Sequence, residues 1–189
     1  FFTDVDNASL IFTPSFSAAQ VNVSINGTNA TITGMLNFFG NSSITFTASD
    51  GALSASGTML ATFTNVDDAP VFAGSIPNLT WVEDTVTMLD LSPFWSEVDG
   101  QDLNWSVTGN TNITISIDNA TGIATFTPFG NFTGVETVTF TATDGSLTSG
   151  PSNTVVVTAL PVNDAPFTIG VIPNMTFAED TSGSMSLLP

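Results

Sequence analysis

The chain reads as an all-β protein, a tandem of antiparallel β-sandwiches with almost no helix. Three observations predict this class: apolar and polar residues alternating with a period of two, turn signals between the alternating segments, and a repeat of about 95 residues. The alternation runs through Val21–Ile25, Ile44–Ala48, Leu103–Val107, Ile113–Ile117, Val135–Thr141 and Thr154–Thr158. β-Branched and aromatic residues occupy one face of each segment and Thr, Ser and Asn the other, as a half-buried pleated surface requires. Between them stand Asp50-Gly51, Asp99-Gly100, Asp118 to Gly122, Phe129-Gly130-Asn131 and Asp144-Gly145, all residues suited to tight turns.

The repeat sets the organisation. Phe1-Phe2-Thr3-Asp4-Val5-Asp6 aligns with Phe94-Trp95-Ser96-Glu97-Val98-Asp99 at an offset of 93, and Ala48 to Gly51 with Ala142 to Gly145 at 94. Val66-Asp67-Asp68-Ala69-Pro70 aligns with Val162-Asn163-Asp164-Ala165-Pro166 at an offset of 96, as does Ile76 to Thr85 with Ile172 to Thr181. Residues 1–69 therefore read as an incomplete sandwich, 70–165 as a complete one, and 166–189 as the first-strand region of a further repeat. The first unit lacks the strand that Ile76 to Pro93 supplies to the second. Pro189 matches Pro93, so the array is cut in phase, and a neighbouring copy's C-terminal segment is expected to complete the first unit, through a continuous chain or a donated strand. Arrays of this kind span distance or assemble more often than they catalyse.

Composition closes several functional classes. The net charge is −17, and Lys, Arg, His, Cys and Tyr are all absent, while 42% of residues are hydrophobic, enough for a core in each unit. With no cationic side chain the chain has nothing to neutralise phosphates, which argues against nucleic acid and anionic membranes. Triads with His, and zinc, haem or copper sites built on His or Cys, cannot be assembled. No apolar run reaches the roughly 18 residues of a membrane span.

About seven short strands per unit is the pattern of immunoglobulin- or cadherin-type sandwiches. The Val162-Asn163-Asp164-Ala165-Pro166 linker resembles that between cadherin repeats. Glu97-Val98-Asp99-Gly100 and Ala142-Thr143-Asp144-Gly145 resemble two calcium-loop segments, and Glu83-Asp84 and Glu179-Asp180 the acidic residues near the first strand. The chain thus resembles the cadherin-like tandem repeats of bacterial and archaeal surface proteins. The arginine-containing motif of true cadherins has no counterpart.

This resemblance implies calcium between repeats. Its first site would use Asn65, Asp67 and Asp68 from the linker with Glu97, Asp99 and Asp144, assisted by Asp102. The second would use Glu83, Asp84, Asn163 and Asp164, with the counterparts of Asp4, Asp6 and Asp50 in the next copy. Independently of the family, carboxylates gathered at a junction repel one another, and a hard cation taking 6 to 8 oxygens relieves this. Two other accounts stay open: solvated turn residues, and simple screening by salt.

Eleven of the sixteen asparagines begin Asn-x-Ser/Thr: Asn7, Asn22, Asn26, Asn29, Asn41, Asn78, Asn104, Asn112, Asn119, Asn131 and Asn174. N-linked glycans there would shield strand edges that no lysine guards. Trp105, between Leu103 and Val107 on an alternating segment, is expected in the core rather than on a sugar-stacking surface. The sequence predicts a non-enzymatic, extracellular, cell-surface protein forming a stalk or filament with copies of itself, with cell-surface glycans as a further partner. The competing reading is an accessory, carbohydrate-binding region of a secreted polysaccharide-acting enzyme.

Overall fold

Alternating Val, Ile, Phe and Thr generate the strands, and the Asp-Gly and Asn-Gly pairs end them. The computed structural model describes residues 1–6 and 9–188. Its strands are β1 (Ile11–Ser15), β2 (Val21–Asn26), β3 (Asn29–Gly34), β4 (Gly40–Ser49), β5 (Ser54–Phe63), β6 (Val71–Phe72), β7 (Leu79–Val82), β8 (Thr87–Asp90), β9 (Trp95–Ser96), β10 (Asn104–Thr108), β11 (Ile113–Asp118), β12 (Ile123–Pro128), β13 (Gly134–Thr143) and β14 (Val155–Leu160). Among the described residues, the helical content is a single 3-10 turn at Ser92–Phe94.

Residues 71–160 form a sandwich. One layer has the order β10-β13-β14-β7 and the other β11-β12-β8, with the short pair β6-β9 beside them. Each layer turns its apolar alternation inward: Val138, Phe140 and Ala142 of β13 and Val155 and Val157 of β14 are buried against Ile113, Ala124 and Phe126 of the other sheet. Trp81 meets Phe126 edge-on with centroids 5.9 Å apart, and Phe126 meets Phe140 at 6.4 Å, the favoured T-shaped contact. All pairings in this unit are antiparallel except that of β7 with β14, which is parallel, Leu79 lying beside Val157 and Val82 beside Leu160.

The stretch Ile76 to Pro93, read from sequence as one strand, forms two. Asp84 takes a left-handed backbone (φ 61°) and Thr85 donates its hydroxyl to the Val82 carbonyl, so the chain turns after β7 and crosses to the opposite sheet as β8. This one segment therefore closes an edge of each layer.

A second irregularity follows β13. The Ser149 hydroxyl accepts the Ala142 N–H at 2.9 Å and the Ser152 hydroxyl the Phe140 N–H at 3.0 Å, while the two serine N–H groups donate back to the same residues' carbonyls. Two buried serines thus continue the ladder beyond Val138 and Val155, where the regular pairing of β13 with β14 ends.

Residues 11–63 build the sheets β1-β4-β5 and β2-β3 over a smaller core of Val21, Val23 and Ile44, with Phe16, Ile32, Phe38, Phe46, Ala61 and Phe63 partly buried around it. Their registers match β10-β13-β14 and β11-β12: Gly40 pairs with Phe63 as Gly134 pairs with Ala159, and Val21 with Gly34 as Ile113 with Pro128. Among the described residues nothing pairs with the outer edges of β5 and β3, the positions that β7 and β8 occupy in the second unit. Residues 166–188 contain no strand and are exposed throughout.

Candidate functional site

The candidate site is the linker between the units and the loop ends that face it. Val71 pairs with Ser96, which sets Asp67 and Asp68 near the 97–101 loop, and Asn104 pairs with Thr143, which sets Asp144 at the same end of the sheet as that loop. Four acids and a glutamine are joined there by hydrogen bonds. Glu97 accepts the Asp99 N–H at 3.0 Å and the Gln101 N–H at 2.8 Å; Asp99 Oδ2 accepts the Asp68 N–H at 2.7 Å; Gln101 Nε2 donates to Asp67 Oδ1 at 2.8 Å. The Asp99 backbone N–H, aided by that of Gln101 against partial desolvation, holds the Glu97 carboxyl below its ordinary range, so it is charged at neutral pH.

Asp144 closes its own turn, Oδ1 accepting the Ser146 and Leu147 N–H groups at 2.7 Å each. Asp50 makes the same two bonds to Ala52 and Leu53, and Asp4 accepts the Asp6 N–H at 2.8 Å as Glu97 accepts that of Asp99. Asp4 and Asp50 line one shallow recess with Phe2 and Leu53. The repeat in sequence is thus a repeat in local geometry.

At the far end, Glu83 is 3% exposed. Its N–H donates to the Leu160 carbonyl at 2.8 Å and its Oε1 accepts the Val162 N–H at 2.9 Å, which ties the end of β7 to the second linker. Asp164 lies on the surface and accepts the Asn131 amide at 2.7 Å. Asn65, Asp84 and Asn163 are exposed, and Asp102 lies apart from the junction, in an open recess with Asn104, Trp105 and Asn119.

Among the described residues, five buried side-chain atoms have no partner: the indole N–H groups of Trp81 and Trp105, and the oxygens Glu83 Oε2, Gln101 Oε1 and Asp144 Oδ2. The indoles belong to the core; all three oxygens lie at the junctions. Each is an acceptor out of reach of water, a state that costs about 1–3 kcal/mol unless something binds it. Oxygen donors of this kind fit a hard cation such as calcium. No group of three or more acidic side chains that could hold a metal ion occurs among the described residues. Gln101 escaped the sequence reading; its place between Asp99-Gly100 and Asp102 was the available signal.

The off-junction acids have structural tasks. Glu136 accepts the Asn112 N–H at 2.6 Å, the Thr111 N–H at 3.0 Å and the Asn112 side-chain amide at 3.1 Å, which holds the β10–β11 turn. Burial alone would raise this carboxyl, but the donors prevail and its pKa lies below the ordinary 4.5. A depressed carboxyl contributes stability above the unfolded-state pKa and loses it as pH falls through the folded value. Glu136→Gln is expected to cost about 1–2 kcal/mol at neutral pH. Urea titrations of the two proteins should draw together only as the pH falls from 4.5 through the lowered folded-state pKa of Glu136.

Of the asparagines that open sequons, Asn22, Asn26, Asn29, Asn41, Asn78, Asn104, Asn112, Asn119, Asn131 and Asn174 are all exposed, and Asn7 lies outside the described residues. Trp81 and Trp95 are buried, and Trp105 packs half-buried against the same core. Trp95 donates its indole N–H to Ser149 at 3.0 Å. No helix of the described residues is long and apolar enough to cross a membrane.

Residues 67–158 match the bacterial Ig domain family. Among solved structures, the chain is similar to human protocadherin-24 EC1-2, at 15% identity and a TM-score of 0.52, covering 86% of this chain and 85% of that one. It is also similar to the endo-fucoidan hydrolase MfFcnA4 from glycoside hydrolase family 107, at 17% identity and a TM-score of 0.38, covering 82% of this chain and 24% of that one, so it spans about a quarter of that enzyme's length. An I-band fragment of titin is similar at 12% identity and a TM-score of 0.38, over 83% of this chain and 56% of that one. No curated protein matches the chain. Antiparallel sheets packed over one core, with β7 in parallel beside β14, and the match over that same stretch agree: residues 67–158 are similar to the bacterial Ig domain, and the fold is a cadherin- and immunoglobulin-like β-sandwich.

Proposed function

We propose that the chain is a non-enzymatic, extracellular structural and adhesive repeat of a cell-surface stalk or filament, its copies arranged end to end and its junctions stiffened by calcium. The observation that carries this reading is the position of the three orphaned buried oxygens, Gln101 Oε1 and Asp144 Oδ2 at the first junction and Glu83 Oε2 at the second. The first site would form by drawing Asp67, Glu97, Asp99, Gln101 and Asp144 together around the ion, since the described residues hold no ready-made cluster of three acids, with Asp68 tied to Asp99 through its backbone; the second would draw on Glu83, Asn163 and Asp164. The cation would neutralise charges that no Lys or Arg in this chain can balance. Small-angle scattering of the full chain should show a narrower range of end-to-end distances in millimolar calcium than in chelator, at about 0.15 M salt in both arms. Identical curves in the two arms would contradict calcium stiffening.

Glycans on the ten exposed sequon asparagines fit the same reading, because bulky sugars on sheet faces and turns block lateral pairing of strands while leaving the ends free. Intact mass of natively produced protein should exceed the polypeptide's 19.6 kDa by several glycans and return to it after enzymatic deglycosylation. The carbohydrate-binding alternative needs an aromatic platform on a sheet; the tryptophans pack into or against the core, and the exposed Phe1, Phe39, Phe129, Phe167 and Phe177 all lie outside the strands.

A further inference from the structure

We propose that the open edges of the first sandwich are closed by residues 172–188 of a second copy of this chain, inserted in the register that residues 76–92 hold in the second sandwich. The proposal rests on the end-to-end reading above and names the contact that makes it.

The second sandwich is the template. There β7 runs parallel to β14 and β8 antiparallel to β12, so one segment covers both layers. Residues 172–181 repeat residues 76–85 as Ile-Pro-Asn-Met-Thr-Phe-Ala-Glu-Asp-Thr against Ile-Pro-Asn-Leu-Thr-Trp-Val-Glu-Asp-Thr. The two copies have opposite fates. Ile76 is 2% exposed and Ile172 61%; Trp81 is 9% and Phe177 48%; Leu91 is 0% and Leu187 79%.

The receiving edge shows the complementary deficit. The offset from β5 to β14 is 96, since Gly40 pairs with Phe63 and its equivalent Gly134 with Ala159. Val155 is fully buried whereas its equivalent Met59 is 40% exposed, and Leu60 beside it is 63% exposed. Apolar side chains on an edge unpaired among the described residues and an apolar segment that pairs with none of their sheets are two halves of one strand-addition interface.

Transferring the template fixes the register. The partner's Met175, Thr176, Phe177 and Ala178 lie beside Ala61, Thr62, Phe63 and Thr64, and the partner's Gly183 to Ser186 lie antiparallel to Ile32 to Asn29. Asn78 Oδ1 accepts the Val156 N–H in the second sandwich, so the partner's Asn174 would accept that of Leu60. Glu83 accepts the Val162 N–H, so the partner's Glu179 would accept that of Val66 and add a carboxylate to the first junction, which the chain alone does not place there. The donor is a second copy because the linker at 162–166 repeats the one at 66–70, so residues 172–188 follow the second sandwich as residues 76–92 follow the first. Residues 172–188 therefore stand as the entry strands of the unit beyond the second sandwich, not of the first.

The test uses the full chain, which has no cysteine, in chelator. Thr62→Cys with Thr176→Cys places one thiol on each side of the proposed pairing; Thr58→Cys with Thr176→Cys offsets them by four residues, about 13 Å along the strand. Oxidation should give a ladder of covalent dimers and longer species from the first protein and at least about tenfold less from the second, because a disulfide closes only at Cα separations of about 4.4–6.8 Å. Phe177→Asp in the first protein should abolish the ladder while leaving the tryptophan-detected melting of the second sandwich unchanged. A chain that stays monomeric, equal ladders from both proteins, or a disulfide that closes within one chain each overturns the proposal. Because no metal is present, a ladder here with no calcium effect on scattering would reject the stiffening and keep the strand exchange, and the converse pair of results would do the reverse.

Discussion

Phe140→Ala should lower the stability of the second sandwich by about 3–5 kcal/mol, the usual cost of emptying a fully buried phenylalanine site. Phe140 has no exposed surface and packs edge-on against Phe126 at the centre of the core. Its backbone is held by Ser152 through both N–H and carbonyl, so the strand cannot shift inward to fill the cavity. For a unit of this size the loss lowers Tm by more than about 10 °C. The repeat supplies an internal control. Phe46 is the equivalent residue of the first unit and is only half-buried, so Phe46→Ala should cost clearly less. All three tryptophans lie between residues 81 and 105, so their fluorescence in urea reports the second sandwich, whereas circular dichroism follows both units.

Calcium should stabilise the same sandwich, and Asp99→Asn should remove the effect. A site with a dissociation constant near 10⁻⁴ M, typical of extracellular calcium modules, gains about 2.7 kcal/mol at a hundredfold excess of ion. Asp99 is the variant of choice because its carboxylate stands at the first junction between the linker and the 97–101 loop. An amide keeps the oxygen that accepts the Asp68 N–H but loses the charge, so the calcium-free protein should melt within a degree or two of its parent, or slightly higher through reduced repulsion. Magnesium at equal concentration should do less, because it holds its own water and demands a more regular cage. Screening alone predicts a different result: added sodium chloride would reproduce the calcium effect, and Asp99→Asn would leave it intact.

The layers and most strands were legible in the sequence because strands buried on one face write their burial as a period of two. Val21–Ile25 and Ile113–Ile117, for example, lie within β2 and β11. Long-range pairing leaves no such mark. Nothing in Ile76 to Pro93 announces that β7 pairs in parallel with residues 78 positions later, or that the chain crosses between sheets at Asp84. The serine-built continuation of the β13–β14 ladder was equally hidden, since Ser149 and Ser152 look like loop residues until their hydroxyls replace backbone acceptors.

The candidate site was legible in part. Asp67, Asp68, Glu97 and Asp99 are linked at one junction, and Asp144 stands at the same end of the sheet. Asp102 points elsewhere because, next to β10, it opens onto the recess shared with Asn119. Gln101 was missed because an amide carries no charge to attract notice. Glu83 was named from its resemblance to an acidic position, but its depth comes from β7 and the second linker folding over it, which no local pattern encodes.

The most direct measurement is a calorimetric titration of the metal-free chain with calcium at about 0.15 M salt, repeated on Asp99→Asn. The junction account predicts saturable binding in the parent chain, with a dissociation constant of about 10⁻⁴ to 10⁻³ M, weakened at least about tenfold in the variant. Non-saturating heats that are identical in the two proteins would mean that the acids hold only a diffuse ion atmosphere, and would contradict it.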